Sequence, residues 1–118
     1  MPSPINAFKN SCTGLKFAWN EDQSWRITLY QAIAGFVIGS VICYHWSGNI
    51  FMWLLMVGSL FPMVIVETIN CSIEAVTDKA SPERSKLAKK AKDLGSAAVL
   101  LSRIFAILCW GVVLATLF

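Results

Sequence analysis

Charge is scarce in this chain of 118 residues. Lysine, arginine, aspartate and glutamate together supply 14% of it, against 56% apolar residues, too little to coat a small soluble domain. Histidine occurs once, at His45 near the end of an apolar run, which argues against a histidine-built metal centre. Cys12, Cys43, Cys71 and Cys109 show no CxxC spacing, so they read as small apolar packing rather than ligands or disulfides. Neither GxxxxGK[ST] nor GxGxxG occurs, and any nucleotide must be held in a way those motifs do not describe. Residues 1–26 contain no compact apolar core followed by a small-residue cleavage site, so the first membrane span is expected to act as its own insertion signal.

What the chain has in quantity is long apolar sequence. Three runs, at about 27–46, 50–70 and 94–118, approach or exceed the roughly 20 residues needed to cross a bilayer. Tyr30, Tyr44 and Trp46 stand near the ends of the first, where aromatic belts form, and Gly35 and Gly39 are spaced for close helix packing. Ser47-Gly48-Asn49 is a short turn. The second run continues as a helix to about Asp78, with Pro62 expected to bend it. Ser81-Pro82 interrupts the pattern, and ERSKLAKKAK forms a basic connection within a loop at 79–92. Ahead of the first span, Ile5, Phe8, Cys12, Leu15 and Trp19 recur at steps of three and four, the spacing of an amphipathic helix over about 5–24 that lies in the membrane interface. The expected fold is therefore an all-α membrane protein, 1–118 forming one unit of a surface helix and three transmembrane helices.

The net charge of +3 does not mark a nucleic-acid surface, because the basic residues cluster beside apolar runs. Lys9, Lys16 and Arg26 precede the first span, and Lys79, Arg84, Lys86, Lys89, Lys90 and Lys92 lie between the second and third, whereas the 47–49 turn and the C-terminal end carry none. The positive-inside rule places the N-terminus and the 79–92 loop in the cytoplasm and the C-terminus outside.

Against this apolar background one polar stripe stands out. Glu67, Asn70, Glu74 and Asp78, in VETINCSIEAVTDK, fall within about 80° of one another on a helix turning 100° per residue. Ionisable groups at membrane depth are costly unless they face a bundle interior or an aqueous site. Asp78 lies near the cytoplasmic surface, with Glu74 about 6 Å and Glu67 about 16 Å deeper. Lys92, Asp93 and Ser96 answer from the start of the third span. Carboxylates and an asparagine are hard oxygen ligands of the kind Mg²⁺ accepts beside substrate phosphates, a lysine neutralises phosphate charge, and Glu67, deepest and most desolvated, suits a proton acceptor. Together they point to phosphoryl transfer from a water-soluble donor to a hydroxyl held in the bilayer. The same stripe also reads as a hydrogen-bonded seam between subunits of a small transporter or channel. Its clustering at one leaflet favours an enzyme, and both readings imply an oligomer.

Three segments, AWNEDQSWR at 18–26, VETINCSIEAVTDK at 66–79 and AKDLGSAAVLL at 91–101, closely resemble the bacterial integral-membrane diacylglycerol kinases. The resemblance covers nearly the whole chain. It implies a homotrimer in the bacterial inner membrane that uses ATP with Mg²⁺ to phosphorylate diacylglycerol to phosphatidic acid. It assigns Glu67 as general base and Glu74 as metal ligand, places Asn70, Asp78, Lys92 and Asp93 with them around the nucleotide, and sets Ser96 with Glu67 toward the lipid. A second metal-binding carboxylate aligns with Asp22, with Glu21 as its substitute one residue away. The family's Arg-Gln-Glu run reads Arg26-Ile27-Thr28 here, so its glutamate is absent. Related enzymes phosphorylate undecaprenol, and Gly95-Ser96 after the AKD triad favours diacylglycerol instead. Arg103 lies outside the family pattern; counting from Asp93 puts it about 15 Å deep, and it reads either as snorkelling to lipid headgroups or as pairing with Glu67 or another polar group in the bundle.

Overall fold

The computed structural model describes residues 3–83 and 85–118. Its helices follow one another as α1 (Pro4–Glu21), α2 (Gln23–Trp46), α3 (Ile50–Gly58), α4 (Leu60–Ala80) and α5 (Lys86–Leu117). Three stretches, α2, the α3–α4 rod and α5, are long and apolar enough to cross a membrane. Even the shortest, 24 residues, extends about 36 Å, more than the roughly 30 Å of hydrocarbon. Val37 and Val41 on α2, and Leu100, Leu101 and Leu108 on α5, are exposed on the outside of the bundle. That exposure is affordable in lipid and not in water.

Local chemistry sets each helix start. Ser3 accepts a hydrogen bond from the Asn6 N–H at 3.2 Å and Pro4 takes the first helical position, where its missing N–H is harmless. Asn49 caps α3 by accepting from the Phe51 and Met52 amides, and Ser85 caps α5 by accepting from Ala88. Gly48, at φ 65°, closes the α2 end by donating to the Cys43 carbonyl at 2.6 Å, a left-handed position that suits glycine.

The amphipathic helix ends at Glu21, earlier than the 24 expected from the sequence. Asp22 alone is extended, at φ −114° and ψ 102°, and Gln23 and Ser24 already belong to α2. Arg26 holds the corner by donating from Nη1 to the Trp19 carbonyl at 2.5 Å, one of the acceptors a helix terminus leaves unpaired. Trp19 packs edge-on to Tyr30 at 5.9 Å. Ile5, Phe8 and Leu15 are exposed and only Ala18 of α1 is buried, so apart from Trp19 the apolar stripe is left open.

The interruption in the second span falls at Ser59, one turn before Pro62. Proline lacks the N–H that would bond the carbonyl four residues back, and its ring crowds that carbonyl, which here belongs to Gly58. The Ser59 hydroxyl donates to the Met56 carbonyl at 2.8 Å, and Trp110 Nε1 donates to the same oxygen from α5 at 2.9 Å. The loosened turn is thus tied down from two sides.

Two other tryptophans use their single N–H in the same way. Trp53 bonds Ser40 at 2.9 Å and Trp25 bonds Thr68 at 2.8 Å, joining α3 and α4 to α2. Each indole buries an apolar body and places one donor across a helix boundary. The core beneath them gathers Cys43, Met56 and Val113, with Leu60, Met63 and Ala106 one layer further along. Gly35 and Gly39 face this core, as their spacing suggests. A Cβ on Gly35 would come within 2.8 Å of Leu60 Cδ1, and one on Gly39 within 3.4 Å of the Trp110 ring. All four cysteines are free thiols, with Cys43 and Cys109 buried.

Candidate active site

The polar stripe on α4 turns inward. Glu67, Asn70 and Thr77 are buried, Glu74 is half-buried and Asp78 is exposed. α4 packs most extensively on α5 and next on α2, so its polar face lies where three helices converge. Gly95 makes this approach close. A Cβ there would collide with Asn70 Oδ1, so any larger residue would force the asparagine aside. Asn70 Nδ2 donates to Glu74 Oε1 at 3.3 Å, joining the two along the helix. Its own Oδ1 is buried and accepts no hydrogen bond among the described residues.

Glu67 is 4% exposed. Ser24 of α2 donates to its Oε1 at 3.1 Å, and the Cys71 thiol approaches the same oxygen at 3.9 Å, a weak donor. Its Oε2 accepts no hydrogen bond among the described residues. A carboxylate offers about four lone-pair sites, and this one has capacity left for a further donor. The Cys71 thiol also lies within electrostatic reach of Asp22 and Glu74, so it is flanked by carboxylates from α4 and from the corner before α2. Asp22, at the extended corner between α1 and α2, is half-buried, whereas Glu21 is exposed on the last turn of α1.

The donor set is all oxygen, which fits Mg²⁺. Among the described residues no three of histidine, cysteine, aspartate and glutamate stand close enough to hold a metal by themselves. Mg²⁺ is usually bound through one or two carboxylates with water and substrate phosphates completing its shell.

The remaining sequence-identified residues gather elsewhere. Lys92 pairs with Asp78 at 2.6 Å and Lys89 with Asp93 at 2.6 Å, all four exposed. They line an open cleft of about 520 Å³ with Ser81 and Lys86. Ser96 is exposed and its side chain makes no hydrogen bond among the described residues, so within one chain it does not meet Glu67.

Arg103 does not pair with Glu67. Its Nη2 donates to Thr28 Oγ1 at 2.9 Å and its Nη1 to Gln31 Oε1 at 2.7 Å, and no ion pair to it forms among the described residues. The alternative of another polar partner in the bundle is the one the chain adopts. Counting from Asp93 puts Arg103 at the level of Glu67, but α5 and α4 are staggered, and the guanidinium reaches α2 one turn beyond Ser24. Thr28, which stands where the family's glutamate is absent, forms with Ser24 and Gln31 a polar edge of α2 that the motif reading did not assemble. Their spacing of four and three was the available signal.

Residues 9–114 match the family described as prokaryotic diacylglycerol kinase. A diacylglycerol kinase of Helicobacter pylori (strain ATCC 700392 / 26695) is 39% identical over 105 residues, covering 89% of this chain and 79% of the relative. One from Escherichia coli (strain K12) is 34% identical over 110 residues, covering 93% and 87%. One from Haemophilus influenzae is 29% identical over 110 residues, covering 93% and 90%.

Proposed function

The chain belongs to the prokaryotic diacylglycerol kinase family, and on that premise we propose that it transfers the γ-phosphoryl group of ATP to the free hydroxyl of diacylglycerol, giving phosphatidic acid and ADP. The observation that carries the proposal is the buried Glu67 carboxylate. It is fixed by Ser24 through one oxygen, has its other oxygen without a donor among the described residues, and shares the Cys71 neighbourhood with Asp22 and Glu74. In the reaction the lipid hydroxyl oxygen bonds to the γ-phosphorus as the bond from that phosphorus to the ADP oxygen breaks, and the hydroxyl proton passes to Glu67. Positioned proton transfer of this kind is worth about 10²–10⁴-fold.

Asp22 and Glu74 are the residues suited to hold Mg²⁺, and Asn70 fixes the rotamer of Glu74 through its amide. Bound Mg²⁺ would neutralise charge on the phosphate oxygens. Asp22 is favoured over Glu21 because its side chain shares the Cys71 neighbourhood with Glu67 and Glu74. The open cleft with Lys86, Lys89 and Lys92 on its walls offers cations to a nucleotide, with Asp78 and Asp93 holding two of them in place. Ser96, outward-facing, serves the site of a neighbouring copy in a homotrimer. The basic residues at 79–92 orient this end to the cytoplasm of a bacterial inner membrane, where ATP is present, with α1 lying in the interface on its open apolar stripe.

The carboxylates and ammonium groups occupy one half of the bundle, while Cys43, Met56 and Val113 fill the other. That distribution favours a site at one surface over a path through the membrane. The experiment is transfer of ³²P from labelled ATP by purified protein in mixed micelles, with diacylglycerol and undecaprenol offered in parallel. Labelled phosphatidic acid with little undecaprenyl phosphate is expected. Label in the polyprenol alone would contradict the proposal.

A further inference from the structure

A guanidinium carries five N–H donors and a permanent charge, and among the described residues Arg103 makes two hydrogen bonds, both to neutral groups. Its charge stands within a membrane-spanning helix, where leaving a cation without acceptors is costly. A neighbouring copy of this chain is poorly equipped to supply a counter-charge. Of its seven acidic residues, six lie nearer the charged end of the bundle than Glu67, and Glu67 is buried and bonded to Ser24. The free donors point instead to a ligand. Arg103 is half-buried and Gln31 is exposed, and α2 and α5 make little direct contact, so the side chain spans an opening that faces out of the chain.

The position of that opening identifies the acceptor. Ser24 touches Glu67 and Thr28 touches Arg103, four residues further along α2. The guanidinium therefore lies about 6 Å further along the α2 axis than the carboxylate, away from the charged end. In a diacylglycerol whose hydroxyl meets Glu67, bonds of about 1.5 Å put the ester carbonyl oxygens roughly 4–6 Å from that hydroxyl. We propose that Arg103, held by Thr28 and Gln31, recognises the ester carbonyls of the lipid substrate and makes the enzyme selective for ester-linked glycerolipids. This rests on the reading of Glu67 as the group that meets the lipid hydroxyl. An ester carbonyl is a strong acceptor and an ether oxygen a weak one, so the contact discriminates between two lipids with the same hydroxyl and chains. A polyprenyl alcohol has neither.

The test compares kcat/KM for dioctanoylglycerol and for di-O-octylglycerol in mixed micelles, using wild-type protein, Arg103→Leu and Arg103→Gln. Charge-assisted hydrogen bonds support a wild-type preference for the diester of about tenfold or more. Both variants are expected to bring the ratio to within about twofold of unity, chiefly through KM for the diester. Should Arg103→Leu fail to assemble, Arg103→Gln, which keeps a polar group opposite Thr28 and Gln31, gives the same readout. A wild-type enzyme that phosphorylates both lipids equally, or variants that keep the wild-type ratio, would overturn the inference and leave the kinase assignment standing. Phosphorylation of neither lipid by wild-type protein would overturn both.

Discussion

Asp78 and Glu67 sit about three turns apart on the same face of α4, yet their surroundings are opposite. Asp78 pairs with Lys92, and nearby Asp93 pairs with Lys89, with every side chain exposed to solvent. Glu67, buried, takes a serine hydroxyl and a weak thiol, and Arg103, in the same half of the bundle, takes a threonine hydroxyl and an amide. Cations and carboxylates meet where water makes the meeting nearly neutral in energy. Where it would be strong they are kept apart. A direct pair inside would have occupied both groups, since it would fill the carboxylate with donors and use up the guanidinium. Neutral partners fix the two side chains and leave one with acceptor capacity and the other with donors.

The contrast is broken most severely at Glu67. On the proposed role of Glu67, Glu67→Gln is expected to lower kcat by 10²-fold or more, with the size-exclusion profile unchanged. Glu74→Gln and Asp22→Asn are expected to lower activity about tenfold or more and to raise the Mg²⁺ concentration needed for half-maximal rate, whereas Glu21→Gln should change that requirement less than twofold. Equal, mild effects at Asp22 and Glu21 would mean that neither carboxylate binds the metal. Gly95→Ala tests the packing that holds the stripe. Its new Cβ displaces Asn70, and overpacking of this kind costs about 1–3 kcal/mol, read as a lower thermal midpoint with reduced activity. The smallest effect belongs to the exposed pairs. Lys89→Ala is expected to change stability by no more than about 0.5 kcal/mol, and a larger loss would mean that the cleft is a structural element in its own right.

Much of this arrangement was legible in the sequence because it depends on one helix at a time. Apolar runs located the spans, Pro62 foretold the break that appears one turn earlier at Ser59, and the three-and-four spacing of Glu67, Asn70 and Glu74 put them on one face. The paired glycines of α2 also read correctly, as a close approach. What escaped depends on how helices meet. Ser24 becomes a partner of Glu67 only once α2 is rotated and docked on α4. Counting residues placed Arg103 level with Glu67, since a count along α5 ignores the stagger between helices, and so the partner it finds is Thr28. The corner at Asp22 was hidden too, because no glycine or proline marks it. It is made by one extended residue and the Arg26–Trp19 bond.

The comparison of Glu67→Gln with Lys89→Ala in the same mixed micelles, each scored by labelled phosphatidic acid formed per intact oligomer, tests the central claim most directly. If the buried carboxylate takes the proton while the exposed pairs help to hold the nucleotide, kcat at saturating ATP falls by 10²-fold or more in the first variant and by less than about threefold in the second. Comparable rates in the two variants, or a Glu67→Gln protein that keeps more than about a tenth of wild-type activity, would contradict it.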